Sequence, residues 1–386
     1  MDSWLVLVAN GKAGTISALE YSGSRLRPLA DNRIGAQGMP LAVAAERGLV
    51  FAGTIDPWLI RVLAVDRATG RLTEIHRLPI AGNPVHLALS ANGRWLAMAS
   101  YHDGLGQLCR VEADGVLEPI GEPVRHRNLH SAAITADTRH CYFVSLRDDL
   151  VAGYLLDADR GLVPLDPPAT AAPAGSGPRH LVFDASQTQL YVNTEYSGEV
   201  LRYRRETVSG ALELVDRVPN VPGQGLGHSR FGADPRVERL IWGSELRLAT
   251  AGDRLYSAER TSATITAQPV GPDGSVGSPT ASSPVLAQPR GFAVLPDDKL
   301  LVASETTARI GLYAPDATGR LKLIQAQLVG AGPVWIGLLP RSTLKKPVQF
   351  VDFHRDVDYL VPIEKVGADR RAEILHAAEG DLTAIG

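Results

Sequence analysis

The chain has 386 residues, 45% of them hydrophobic and 21% charged, which is ordinary for a soluble globular protein. Its net charge of −3 and pI near 6.4 favour neither nucleic acid nor an anionic membrane as a partner. Only two cysteines occur, Cys109 and Cys141, too few for a disulfide scaffold. No signal-peptide pattern or bilayer-length apolar stretch is evident, so we expect a cytoplasmic protein without a membrane partner.

A short β-rich run recurs along the whole chain. Each copy has the length and the β-branched or aromatic content of a half-buried strand. The copies begin at Leu5, Leu49, Leu96, Cys141, Leu190, Leu255 and Leu300. Successive starts are therefore 44, 47, 45, 49, 65 and 45 residues apart. This regularity predicts a repeat architecture.

A second strand-like element precedes most of these runs by about ten residues, across a turn such as that at 90–93. Its copies begin at Pro40, Pro84, Leu129, Pro178, Glu245, Pro289 and Pro333. A third and a fourth strand follow each run, as in Val200–Tyr203 and Leu212–Val215. Four antiparallel strands per ~45 residues are typical of a propeller blade. We name them A, B, C and D in each repeat and predict an all-β, seven-bladed propeller.

The two ends of the repeat predict how the ring closes. The chain opens on a B-type run, and its last repeat element is a lone A-type run from Pro333 to Leu339. A C-terminal strand A would then join N-terminal strands B, C and D in one blade and remove an exposed edge. We predict a propeller over residues 1–340 and a C-terminal extension over 341–386. Residues 368–376 of the extension have the pattern of a short amphipathic helix.

One gap between repeats is longer than the others. The spacing of 65 predicts an insertion of about twenty residues from Arg217 to Arg239, rich in Gly and Pro and holding His228, Arg230 and Arg236.

Ionisable residues recur where strands A begin and strands B end. In a propeller these positions lie on one face, around the central channel. The A starts supply His86, His130, Arg179, His180, Arg247 and Arg290, and the B ends include Tyr101, Glu195, Arg260 and Glu305. Guanidinium groups match the geometry of carboxylates and phosphates, so an anionic small molecule is the expected ligand. Glu or His beside them would supply an acid or a base.

The same residues carry a family resemblance. The segments Gly177–Phe183 and Asn193–Glu195, with Leu255–Thr261, Gly271–Val276 and Gln288–Phe292, resemble the lactonase-type seven-bladed propellers. This group contains the bacterial propeller 6-phosphogluconolactonases and the fungal 3-carboxy-cis,cis-muconate lactonizing enzyme. The resemblance runs from about residue 4 to 339.

The resemblance implies specific roles. The family's active-site His falls on His130, its Arg and Glu on Arg179 and Glu195, and a further Arg on Arg260. The Arg of a Gln-Pro-Arg-Gly-Phe motif falls on Arg290. We expect Glu195, His130, Arg179 and Arg260 to be catalytic, and Arg290, His180, Arg247, His86 and Glu305 to bind substrate. No metal or other cofactor is implied.

The expected activity is metal-independent hydrolysis of an anionic sugar lactone, 6-phosphogluconolactone, in the pentose phosphate pathway of carbohydrate metabolism. Water activated by Glu195 or His130 would attack the carbonyl while Arg179 and Arg260 stabilise the oxyanion. Two alternatives stay open: the muconate-type lactonizing reaction, and a non-catalytic binding propeller. We expect a monomer or weak homodimer.

One motif departs from the family pattern. Where the enterobacterial relative has Asp-Ile-His at the start of a strand A, this chain has Glu245-Leu246-Arg247. An extra cation is therefore expected at the mouth.

Overall fold

A computed structural model of the chain describes residues 3–223, 225–342, 350–354 and 357–362. The chain divides into two compact units, Met1–Ser342 and Thr343–Gly386. In the second, β29 (Phe350–His354) pairs antiparallel with β30 (Val357–Pro362). The helix predicted at 368–376 lies outside the described residues. Among those residues, no helix has the length and apolar character needed to cross a lipid bilayer.

The first unit is built almost entirely of short strands joined by tight turns. In chain order they are β1 (Trp4–Asn10), β2 (Thr15–Ser22), β3 (Arg25–Arg33), β4 (Ala36–Ala44), β5 (Leu49–Asp56), β6 (Trp58–Val65), β7 (Leu72–Pro79), β8 (Pro84–Leu89), β9 (Trp95–Ser100), β10 (Leu105–Val111), β11 (Leu117–Arg125), β12 (Leu129–Ile134), β13 (His140–Ser145), β14 (Leu150–Asp157), β15 (Gly161–Ala171), β16 (Pro178–Phe183), β17 (Gln189–Thr194), β18 (Glu199–Arg205), β19 (Leu212–Pro219), β20 (Gly243–Leu248), β21 (Arg254–Glu259), β22 (Thr264–Pro269), β23 (Ala281–Pro284), β24 (Pro289–Val294), β25 (Leu300–Ser304), β26 (Arg309–Pro315), β27 (Leu321–Leu328) and β28 (Pro333–Pro340). One short helix, α1 (Pro235–Glu238), interrupts them, with Asp234 as its N-cap.

These strands form seven four-stranded antiparallel sheets within the described residues. Six sheets use consecutive strands, beginning at β4, β8, β12, β16, β20 and β24. The seventh has the order β28-β1-β2-β3, and Leu5 pairs with Leu339 in it. The predicted seven-bladed propeller, closed by strands from both ends of the chain, is confirmed.

The A strands line the centre of the ring. Each contacts the A strand of the next blade, from β4 through β8, β12, β16, β20 and β24 to β28 and back to β4. Neighbouring strands approach closely here: a Cβ added to Gly291 would lie 2.5 Å from the carbonyl oxygen of Val334. Only glycine fits that contact.

The hydrophobic core is divided among the blade interfaces. Within the described residues it forms seven clusters, each shared by two adjacent blades. Phe51 and Met98, both fully buried, belong to one such cluster. Because both faces of every sheet are covered, the B strands are almost continuously apolar. Cys109 and Cys141 are both buried and unpaired.

The insertion begins later than the sequence predicts. Residues 217–219 complete strand β19, so the inserted segment runs from 220 to 242. The sequence placed its start at Arg217 because the outer strand alternates polar and half-buried residues and ends without a marked change in composition.

Candidate active site

The start of each strand A lies beside the end of its strand B, at one opening of the channel, which we call the upper opening. Pro178 pairs with Thr194, and Gly243 pairs with Glu259. Arg179 and Glu195 each lie one residue beyond the first of these pairs. They therefore meet, although they are sixteen positions apart in the sequence.

Every A–B pair of the described propeller changes register once near the beginning of strand A. Such a bulge places an extra residue opposite one partner and re-aims its side chain. The residues at these bulges that line the upper opening are Val85, His130, Arg179, Arg290 and Val334. The bulge therefore turns one residue of a buried strand towards the channel in blade after blade.

These side chains surround a cavity of about 170 Å³, the upper cavity. Its remaining walls are formed by Pro40, Ile55, Asn83, Pro84, His102, His180 and Trp335. An adjoining hollow of about 420 Å³ shares His102 with it and is lined by Tyr101, Glu195, Trp242 and residues of the insertion. The two spaces are therefore neighbours at the upper opening.

Glu195 joins two buried arginines. Its Oε2 accepts a hydrogen bond from Arg179 Nε at 2.8 Å and lies 3.0 Å from Nη2 of Arg260. Arg179 also donates to the carbonyl oxygen of Ser244, and Arg260 donates to that of Gly243 at 2.8 Å. The guanidinium of Arg260 stacks 3.8 Å above the Trp242 ring. Both arginines are thus fixed on several sides.

The site carries an excess of positive charge. The site contains three cationic and two anionic side chains, so its net charge is +1. The cations are Arg179, Arg260 and Arg290, and the anions are Glu195 and Glu305. Burial lowers the pKa of Arg260 to about 9 although Glu195 opposes the shift, and the side chain stays protonated at neutral pH. An incoming anion would neutralise this charge.

Arg290 is the accessible cation of the group. Its side chain is 39% exposed, against 3% for Arg179 and 4% for Arg260. Its Nη1 lies 3.2 and 3.4 Å from the two oxygens of Glu305, a looser pairing than that of Arg179 with Glu195. Arg290 therefore has donors available to a ligand in the upper cavity.

Three histidines and a tryptophan pack together in the channel. The His180 ring centroid lies 5.1 Å from that of His130, 5.4 Å from that of His86 and 5.9 Å from that of Trp335. Burial, with Arg179 next in importance, lowers the pKa of His130 well below its ordinary value. Burial also lowers the pKa of His180 to about 4, against the opposing effect of Glu245. Both rings are neutral at physiological pH.

A chain of contacts leads from these histidines down the channel. Nδ1 of His180 lies 2.7 Å from Oε1 of Glu245, and Oε2 of Glu245 accepts a hydrogen bond from Arg247 at 3.2 Å. Burial would raise the pKa of Glu245, but Arg247 and His180 lower it to about 2. Glu245 is therefore an ionised carboxylate, 2% exposed, inside the protein.

The profile of the family described as "Lactonase, 7-bladed beta-propeller" matches residues 5–338. The chain belongs to this lactonase family. The predicted resemblance and the prediction of a lactonase enzyme are thereby confirmed.

Named relatives agree with the family. A 6-phosphogluconolactonase of Enterobacter sp. (strain 638) is 27% identical over 306 residues, 78% of this chain and 88% of the relative. One from Pectobacterium carotovorum is 28% identical over 312 residues, 79% of this chain and 89% of the relative. Among solved structures, a periplasmic gluconolactonase of Pseudomonas aeruginosa has a TM-score of 0.79 at 23% identity, covering 88% of this chain and 100% of that one. At that identity the last comparison supports the fold alone.

The structure brings most of the predicted site residues of this lactonase together, but not all. His130, Arg179, His180 and Arg290 line the upper cavity, and Glu195 lines the adjoining hollow. Arg260 lies behind Glu195, and Glu305 lies beside Arg290.

Arg247 and His86 are not at the upper opening, contrary to the sequence analysis. Both line a separate cavity at the opposite end of the channel, the lower cavity. Strand β20 begins at Gly243, not at Glu245, and its bulge adds one residue to the strand, as in the other blades. Arg247 therefore lies four residues, about 13 Å, into the strand. His86 follows the bulge at Val85, as His180 follows the bulge at Arg179, but His86 lines the lower cavity whereas His180 lines the upper one.

Two aromatic groups of the candidate site were missed by the sequence analysis. His102 lines both the upper cavity and the hollow, and Trp242 supports Arg260. His102 follows Tyr101, the residue taken as the end of strand B, so extending that position by one residue would have found it. Trp242 ends an insertion whose path the sequence does not specify. No group of three or more His, Cys, Asp or Glu in the described residues is arranged to hold a metal.

Proposed function

We propose that this lactonase hydrolyses an anionic sugar lactone, 6-phosphogluconolactone, to 6-phosphogluconate. The observation that carries the proposal is the excess positive charge around the upper cavity, where three arginines face two carboxylates. The names of the Enterobacter and Pectobacterium relatives support the phosphorylated lactone as substrate. This activity would belong to the pentose phosphate pathway.

Arg290 is the proposed phosphate-binding residue. Its exposed guanidinium and its longer contacts with Glu305 leave N–H groups for a phosphate in the upper cavity. Charge-assisted hydrogen bonds from a planar guanidinium suit phosphate oxygens. The lactone ring would then lie between Arg290 and Arg179.

Arg179 is the proposed oxyanion donor. It lines the upper cavity, and its contacts with Glu195 and Ser244 fix the guanidinium before substrate arrives. Water attacks the lactone carbonyl carbon, negative charge develops on the carbonyl oxygen, and preorganised N–H donors stabilise it by a few kcal/mol. Arg260 contacts the same oxygen of Glu195, and its positive charge also stabilises the negative charge on the carbonyl oxygen.

The attacking water must lose a proton to a base. Glu195 and His130 are the two groups nominated by the sequence: Oε2 of Glu195 is held by two arginines, and Nδ1 of neutral His130 is buried without a hydrogen-bond partner. Protein groups thus supply both the oxyanion donor and the base, and the proposed reaction uses no metal ion.

A cytoplasmic location and a monomer or weak dimer stay predictions.

The test is turnover of freshly generated 6-phosphogluconolactone above its spontaneous hydrolysis, followed through 6-phosphogluconate formation. Wild type should accelerate hydrolysis, and Glu195→Gln should lower kcat/KM at least 100-fold. Glu213→Gln is a matched control, because Glu213 lies exposed on outer strand β19 of the same blade. A wild type no faster than the spontaneous rate would contradict the proposal. Conversion of 3-carboxy-cis,cis-muconate instead would favour the lactonizing reaction.

A further inference from the structure

We propose that His180, oriented by Glu245, is the base that takes the proton from the attacking water. This inference rests on the proposed lactone hydrolysis and adds a residue to its machinery. Glu245 is a positioning residue: it orients the ring of His180 and acts only through that histidine.

The contact between the two side chains fixes which ring nitrogen carries hydrogen. Nδ1 of His180 lies 2.7 Å from Oε1 of Glu245, and both side chains are at least 96% buried. Because Arg247 and His180 hold the pKa of Glu245 low, the carboxylate is ionised and only accepts hydrogen bonds. Nδ1 must therefore be the donor, which leaves the lone pair on Nε2.

Nε2 of His180 is the nitrogen available for chemistry. It is buried and has no hydrogen-bond partner in the described part of the chain, and His180 is one of the residues that line the upper cavity with Arg179 and Arg290. Buried polar atoms are normally paired, so this lone pair is suited to a donor that enters the cavity. A water molecule is such a donor.

His130 is a weaker candidate for the same step. Its Nδ1 is also buried without a partner, but no carboxylate of the described residues bonds to its ring. Arg179, the two other channel histidines and Arg290 all disfavour a positive charge on His130. His180 faces the same channel with Arg179 and Arg247 nearby, yet Glu245 supports its protonated form directly. Proton transfer to His180 is therefore the less costly route.

Hydrolysis then proceeds through two proton transfers at His180. The water oxygen bonds to the lactone carbonyl carbon while its proton moves to Nε2 of His180, and the carbonyl electron pair moves to the oxygen beside Arg179. Collapse of this intermediate breaks the bond from the carbonyl carbon to the ring oxygen. The ring oxygen takes the proton back from Nε2 and leaves as the hydroxyl of the open acid. Glu245 stays ionised and stabilises the imidazolium between the two transfers.

Single substitutions test the assignment through kinetics. His180→Gln should lower kcat about 100- to 1000-fold with KM nearly unchanged, as expected for loss of a general base. Glu245→Gln should lower kcat about 10- to 100-fold, because the imidazolium loses its carboxylate. Glu199→Gln is the matched control, since Glu199 is a buried carboxylate paired with Arg217 away from the channel. Thermal melting verifies that each variant folds.

A second measurement does not depend on turnover. With ¹⁵N-labelled histidine, the resonances that disappear in His180→Gln identify His180 in the wild type. They should show hydrogen on Nδ1 and a lone pair on Nε2 at pH 7. Hydrogen on Nε2, or a His180→Gln variant as active as wild type while His130→Gln is inactive, would overturn the inference. A wild type without lactone turnover would overturn the proposed function instead.

Discussion

The two openings of the channel are made by the same seven strands, yet they differ in chemistry. The upper opening collects His130, Arg179 and Arg290. The lower cavity is lined mainly by the apolar ends of those strands, among them Ile134, Phe183, Val294 and Leu338, together with Arg247 and His86. In the A–B strand pairs of the described propeller, the bulges lie near the upper end. The bulged starts turn one residue towards the channel, whereas the lower strand ends keep the regular alternation of a strand and line the channel mainly with apolar residues.

The packed rings of His86, His180 and Trp335 lie between the openings. They separate the polar site from the apolar one, and Glu245 is the charged connection past them. The polar end of this channel is therefore defined by backbone irregularity as much as by residue type.

The largest expected effect separates the two ends. Arg179→Gln should lower kcat/KM at least 1000-fold, because it removes the oxyanion donor and leaves Glu195 with one arginine partner. Ala91→Lys places a new charge on an exposed position of the lower cavity and should leave kcat/KM unchanged. Steady-state hydrolysis of 6-phosphogluconolactone measures both. Equal losses in the two variants would break the distinction between the openings.

A smaller effect is expected at Arg290 and should depend on the phosphate. Arg290→Gln should raise KM for 6-phosphogluconolactone about 10- to 100-fold, the size of one charge-assisted contact. With unphosphorylated glucono-lactone, the same substitution should leave KM unchanged. If both substrates respond equally, Arg290 does not bind the phosphate.

Acid should weaken the fold through its buried histidines. The pKa of His140 and of His180 falls from about 6.5 when unfolded to about 4 when folded, chiefly through burial. Between these values the unfolded chain binds more protons, so the free energy of unfolding decreases as the pH falls from 6.5 to 4. The loss per histidine is at most about 3 kcal/mol.

Urea unfolding at pH 7 and at pH 5 measures this loss. His180→Gln should show a smaller decrease than wild type, because the histidine that resists protonation in the fold is absent. A His180→Gln variant with the wild-type decrease would place the acid sensitivity in groups other than His180.

The smallest expected effect is that of chelation. Dialysis against EDTA should change kcat/KM for 6-phosphogluconolactone by less than twofold, because the proposed step uses only protein groups. Recovery of a lost rate on adding back a divalent cation would show that the site needs a metal.

The strands were predictable from the sequence because each blade repeats the same apolar run. Leu96, Cys141 and Leu190 all begin runs that the structure places in B strands. The meeting of Arg179 with Glu195 was also predictable, since it follows from the pairing of A starts with B ends. Because the pairing of strands A and B repeats in every blade, residues that are far apart in the sequence can be predicted to lie together.

The positions of His86 and Arg247 were not predictable in the same way. A bulge adds one residue to strand A, and no residue type in the sequence indicates where it occurs. The bulge determines how far along the channel the next side chain lies. The early start of β20 at Gly243 coincides with a tertiary contact: a Cβ there would lie 2.3 Å from the carbonyl oxygen of Thr194 in the preceding blade. The secondary-structure propensities of these residues do not indicate that the two backbones come this close together.

The closing strand makes the pocket depend on the whole ring. Val334 and Trp335 of β28 form part of the wall of the upper cavity, and β28 completes its blade by pairing with β1. Residues 3–328 include every proposed catalytic side chain but lack this wall. A chain truncated before Pro333 should therefore be inactive although its catalytic side chains are all present.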